Sequence, residues 1–99
     1  ILNLKNYSNN NEPVPHMGWN SIKIINKNKL LDKIHLESYF YFLHSYFYEC
    51  ENKNHVTSST NYIKEFSSTI NKDNVFGVQF HPEKSHENGT QVLENFSNI

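Results

Sequence analysis

The chain has 99 residues, 36% of them apolar and 14% aromatic, and nine lysines nearly balance ten acidic residues for a net charge of −1. No stretch approaches the roughly 18 consecutive apolar residues of a membrane-spanning helix. There is no arginine to grip phosphates or read base edges, so neither a membrane nor a nucleic acid is an expected partner.

One cysteine fits a reducing compartment better than a disulfide framework. The first residue is Ile and no basic segment precedes an apolar one, so no signal peptide is visible, and such a start suits a piece of something longer. The length suits one small domain that buries only about 60–65% of its unfolded surface. Alanine is absent and Leu and Val are few, so Phe, Tyr and Trp19 are expected to supply most of the core.

In chain order, residues 1–12 open weakly apolar and end polar, and read as a frayed lead-in. Pro13 and Pro15 enforce extended backbone, and with Gly18 they make residues 13–20 a rigid, turning segment that carries Trp19. Residues 21–25 alternate as a short strand. Residues 26–37 hold a polar turn and a Leu30, Leu31 and Ile34 cluster, worth one or two helical turns. Residues 38–48 are nearly all aromatic and predict a strand buried on both faces in the middle of a sheet. A loop follows at 49–54, then two weaker strands at 55–60 and 62–70 that suit a hairpin, a turn at 71–74, and a strand at 75–80. Residues 86–97 place Val92, Leu93 and Phe96 as the apolar side of a closing helix.

The sharpest chemical feature is Phe80-His81-Pro82-Glu83-Lys84-Ser85, where a buried strand ends in polar side chains. In extended backbone, residues i and i+2 lie on one side. Glu83 can therefore accept a hydrogen bond from His81, fix its tautomer and stabilise its imidazolium, which is the orienting half of a nucleophile–His–acid triad. The tripeptide alone also suits a surface His and Glu flanking a proline. Cys50 is a poor nucleophile: Glu49 and Glu51 oppose a thiolate, and no glycines surround it to allow a strained elbow. His16, His35, His55 and His86 lack metal-ligand spacing, so no metal is expected.

Three stretches occur in order and at particular separations: Pro15-His16-Met17-Gly18-Trp19-Asn20, Leu43-His44-Ser45-Tyr46, and Gly77-Val78-Gln79-Phe80-His81-Pro82-Glu83-Lys84-Ser85. The set resembles the class I, triad-type glutamine amidotransferases, and more narrowly the glutaminase subunits of imidazole glycerol phosphate synthase. Gly89, Leu93 and Phe96 match that family's closing helix, so the resemblance runs from about Val14 to Phe96.

The resemblance implies an α/β, flavodoxin-like fold, of which residues 1–99 are the β-rich C-terminal part of one domain with a closing helix. It implies a Cys-His-Glu triad with His81 as general base and acid and Glu83 behind it. The family's nucleophile sits in a Gly-x-Cys-x-Gly elbow that this sequence does not contain. It also implies that His44, Ser45 and Tyr46 hold L-glutamine, that Met17, Trp19, Asn20 and Lys84 meet a (β/α)8-barrel cyclase subunit, that no cofactor is needed, and that the protein is cytoplasmic. Blander readings stay open. His44 to Tyr46 suit core packing, Trp19 suits capping the chain's own core, and Lys84 suits a solvated surface. Another class I amidotransferase, or a non-catalytic half-domain that only docks on the synthase, remains an alternative.

Overall fold

The computed structural model describes residues 1–7 and 12–99. Among the described residues there are seven strands: β1 (Leu2–Asn3), β2 (His16–Ile24), β3 (Glu37–His44), β4 (Tyr46–Phe47), β5 (Val56–Tyr62), β6 (Lys64–Lys72) and β7 (Val75–Val78). One helix, α1 (His86–Ser97), closes the described chain. Five strands form an antiparallel sheet in the order β3-β2-β5-β6-β7, and β1 pairs with β4 as a two-stranded ribbon. Among the described residues, no helix is long and apolar enough to cross a membrane.

The aromatic stretch corrects the expectation of a central strand buried on both faces. It breaks at Ser45 into β3 and β4, and β3 is the first strand of the five, not the middle one. Its burial alternates: Ser38, Phe40 and Phe42 are buried, while Tyr39 is 58% exposed. The phenol hydroxyls explain this, since a buried hydroxyl without a partner is costly and a phenyl ring is not. The outer edge of β3 is covered. Asn88 Nδ2 donates to Tyr39 O (3.0 Å), His81 N donates to Tyr41 O (2.9 Å), and Tyr41 N donates to Ser85 Oγ (2.9 Å).

The centre of the sheet is β5, a strand of small hydroxyl residues. Thr57, Ser58, Ser59 and Thr60 are all buried, and the hydroxyls of Thr57 and Ser58 meet those of β6. Thr57 Oγ1 lies 2.6 Å from Thr69 Oγ1, and Ser58 Oγ lies 2.8 Å from Ser68 Oγ and 2.6 Å from Thr69 Oγ1. Satisfying these hydroxyls against one another is what makes their burial affordable. The hairpins at 62–64 and 72–75 form as expected, with Ile63 (φ 67°) and Asp73 (φ 53°) taking the left-handed conformations at their tips.

Phenylalanine supplies most of the aromatic core, with Tyr62 partly buried against it. Phe40, Phe42, Phe47, Phe66 and Phe80 are buried together with Leu4, Ile22, Leu30, Leu31, Ile34 and Val92. Phe40 stacks on Phe80 with ring centroids 4.1 Å apart. Leu30 and Leu31 sit in a single 3-10 turn. Residues 1–7 are anchored, not frayed: Leu4 is fully buried and its N–H donates to Ser45 O (2.8 Å). The part of the frayed lead-in expected at 8–11 lies outside the described residues. Strand β2 starts at His16, earlier than the expected 21–25, and Gly18 within it adopts φ 127°, which L side chains rarely take. Helix α1 follows its expected span, but its buried side is Gly89 and Val92. Leu93 and Phe96 are half exposed or more, and the Phe96 ring lies edge-on to Phe76 (6.3 Å).

Candidate active site

Beyond β7 the chain bends through Gln79 and Phe80, and Gln79 N still donates to Ser68 O (2.9 Å). His81 is extended (φ −100°, ψ 100°), and Pro82 starts a single 3-10 turn through Lys84. Proline suits the first position of such a turn, where its missing N–H costs nothing. This geometry brings His81 Nδ1 to 3.0 Å from Glu83 Oε2. A carboxylate only accepts, so Nδ1 carries the proton and Nε2 keeps its lone pair. That hydrogen bond from His81 is the main reason the Glu83 carboxyl titrates below its usual range. Both side chains remain partly open to solvent. The pair can hold an oriented base at the end of a sheet.

A second histidine pair lies on the two strands behind it. His16 of β2 and His44 of β3 are direct cross-strand partners. His44 Nδ1 donates to Tyr46 O (2.9 Å), which leaves His44 Nε2 as the acceptor for His16 Nδ1 at 3.0 Å. His16 Nε2 then accepts from Asn20 Nδ2 (3.4 Å). The direction of every bond in this chain follows from the carbonyl at its end. The His16 ring is 3% exposed and sandwiched between Phe42 (4.9 Å) and Tyr62 (4.0 Å). Burial, then the neighbouring His44, lower its pKa to about 4. Burial also lowers His44, partly opposed by its bond to Tyr46 O, and the charge of His81 pushes in the same direction as burial. His44 and His81 therefore share one electrostatic neighbourhood.

The structure distributes the other expected site residues unevenly. Ser45 is half-buried at the break between β3 and β4, and its carbonyl is taken by Leu4 N. Tyr46 projects outward. The three residues thus form one turn whose histidine ring is already held from within. Met17 and Trp19 share the outer face of β2, whereas Asn20 alternates to the inner face. There its amide also donates to Asn61 O (3.1 Å), and its Oδ1 accepts from Ser21 N (2.8 Å). Trp19 is 47% exposed, lies edge-on to Tyr41 (5.9 Å) and stacks on His86 (5.3 Å). Lys84 Nζ sits 5.9 Å over the same Tyr41 ring. Trp19 and Lys84 thus meet on one surface beside His81 and Glu83.

Cys50 is buried elsewhere, with its thiol donating to Asn52 O (3.3 Å). The cleft of about 250 Å³ around it is lined by Phe47, Lys53 and Phe66 among others, and by neither His81 nor Glu83. Among the described residues, no three His, Cys, Asp or Glu side chains are grouped to hold a metal ion. Sequence reasoning set His16 aside and assigned nothing to Ser85. The available signal for His16 was its parity with Ile22 on the inner face of β2.

A family model described as glutamine amidotransferase class-I matches residues 5–99. Among curated proteins, the chain is 53% identical over 83 residues to imidazole glycerol phosphate synthase subunit HisH 2 of Methanococcus maripaludis, covering 84% of this chain and 41% of that protein. It is 48% identical over 92 residues to the HisH subunit of Leptospira interrogans, covering 93% and 45%. It is 51% identical over 85 residues to the HisH subunit of Methanocaldococcus jannaschii, covering 86% and 43%. The chain spans less than half the length of the curated relatives it matches.

Proposed function

The chain belongs to the class I glutamine amidotransferase family, and from that premise we propose that it forms the His–Glu side of a glutaminase that supplies ammonia to imidazole glycerol phosphate synthase. The observation that carries this reading is the His81 Nδ1–Glu83 Oε2 hydrogen bond at the end of the sheet. It leaves Nε2 as a lone pair held in a fixed direction.

The nucleophile is a cysteine from a part of the domain outside these residues, since Cys50 is flanked by carboxylates and donates its thiol proton to Asn52 O. The complete domain is a flavodoxin-like α/β sheet to which residues 1–99 contribute the C-terminal part. His81 takes the thiol proton as sulfur attacks the side-chain amide carbon of glutamine. It returns that proton to the departing nitrogen, and ammonia leaves a thioester. His81 then deprotonates water for attack on the thioester, and glutamate is released with the thiol restored. Glu83 stabilises the imidazolium in each half. The turn at His44 to Tyr46 holds the glutamine. Met17, Trp19 and Lys84 face the (β/α)8-barrel cyclase subunit, while Asn20 supports that face from beneath. The chemistry calls for no metal or cofactor and suits the cytoplasm.

The test compares His81→Ala and Glu83→Gln in the intact subunit with its synthase partner. His81→Ala is expected to lower glutamine hydrolysis by about 10²–10⁴-fold, and Glu83→Gln by less. Synthesis from added ammonia is expected to continue in both. Glutamine hydrolysis by His81→Ala within about tenfold of the parent would overturn the reading.

A further inference from the structure

We propose that Ser85 is a positioning residue for His81, its hydroxyl fixing the histidine backbone to the edge of β3. This rests on the reading of His81 as the general base. Ser85 is 1% exposed at the start of α1, in the position where a serine hydroxyl ordinarily accepts from the first turn of its own helix. Here it makes no such cap. Its oxygen accepts from Tyr41 N (2.9 Å) and its proton goes to His81 O (2.6 Å). His81 N in turn donates to Tyr41 O (2.9 Å). One side chain and one backbone N–H thus tie the residue bearing the imidazole to the backbone N–H and C=O of Tyr41.

The surroundings hold that clamp closed. Gly89 packs against the same turn so closely that a Cβ there would collide with the carbonyl oxygen of Pro82. Gly89 N also donates to Ser85 O (3.2 Å). His86, next to Ser85, takes a left-handed backbone (φ 52°), a strain that persists only where neighbours over-determine the conformation. The helix start therefore gives up a cap and accepts strain so that Ser85 can face His81.

The test uses the intact glutaminase and three variants. In Ser85→Ala, kcat for glutamine is expected to fall about 10–100-fold, as for a slightly misplaced base, with KM within about threefold. The nitrogen-bound proton signal of His81 Nδ1, expected by NMR in the parent from its bond to Glu83, should broaden or vanish. Val92→Ala loosens the same helix from its buried side without touching His81, and is expected to keep both kcat and the signal. Ser85→Cys, nearly isosteric with a weaker donor, decides the matter should the alanine variant not fold: a loss of kcat supports the proposal, and the parental kcat overturns it. Parental kcat and signal in Ser85→Ala, or equal losses in Val92→Ala, would also overturn it. If His81→Ala hydrolyses glutamine normally, the catalytic reading falls by itself, and the NMR signal alone then judges whether Ser85 positions His81.

Discussion

Acidification tests the buried histidine pair directly. Both nitrogens of His16 are committed, Nδ1 as donor to His44 and Nε2 as acceptor from Asn20. A second proton must land on Nε2, where it meets the Asn20 N–H head on. Asn20 cannot invert to offer its oxygen without giving up the bond from Ser21 N (2.8 Å). The ring lies between Phe42 and Tyr62 with almost no water contact, so its pKa sits at about 4 instead of 6.5. The unfolded chain takes up this proton near 6.5, so between those values the unfolded state binds more protons. Stability therefore rises with pH across that window. It is fully present above about pH 6.5 and is lost as pH falls towards about 4. A shift of that size is worth up to about 3 kcal/mol at 1.36 kcal/mol per unit, a large part of a small domain's roughly 5–15 kcal/mol. The assay is urea unfolding followed by Trp19 fluorescence from about pH 7.5 to about pH 5. His16→Phe keeps the aromatic stack and removes the titrating group. It strands His44 Nε2, so at neutral pH it is expected to cost about 1–3 kcal/mol. Its pH slope is expected to be shallower than the parent's, with His44 supplying what remains. Equal slopes in the two proteins would show that His16 does not carry the acid sensitivity.

Two further substitutions separate core from surface. Phe40→Ala removes a fully buried ring stacked on Phe80, the residue before His81, and is expected to destabilise by about 3–5 kcal/mol in urea unfolding. A loss under about 1.5 kcal/mol would mean the site collapses around the gap. Trp19→Ala is expected to cost under about 1.5 kcal/mol of folding stability, because half of the indole is already open. Calorimetry with the barrel subunit is expected to show at least about 2 kcal/mol of lost affinity, near 30-fold. Unchanged affinity with a collapsed melting temperature would make the indole a core residue.

The hydroxyl groups carried more of the fold than the sequence analysis credited. Tyr39-Phe40-Tyr41-Phe42 looks uniformly aromatic on a hydrophobicity scale. Yet its phenylalanines face in and its tyrosines sit outside or at the rim, so the strand's period of two was written in oxygen atoms. The same oversight hid β5. Val56-Thr57-Ser58-Ser59-Thr60 reads as a weak strand because side-chain hydroxyls count as polar. Its centrality depends on meeting Ser68 and Thr69 at matching register, and no single strand can reveal that. The helix failed differently. Apolar spacing selected Val92, Leu93 and Phe96, and Val92 is buried as expected, but Gly89 brings α1 against Pro82, and this turns Leu93 and Phe96 outward.

The candidate site divides along the same line of sequence distance. His81 and Glu83 are two residues apart, so extended backbone and a proline suffice to bring imidazole and carboxylate together, and that pairing was legible. His16 and His44 are 28 residues apart and meet only because β2 and β3 pair in one register. A slip of one residue would turn the ring away from its partner. Tyr41 and Ser85 are 44 residues apart and meet only because the turn after β7 returns to the outer edge of β3. Local geometry thus determines which way the His81 tautomer faces. Where its ring stands depends on contacts closed by the whole sheet. A fault in β3 that frees Tyr41 from Ser85 should therefore displace the imidazole and loosen its bond to Glu83, as Ser85→Ala is expected to do.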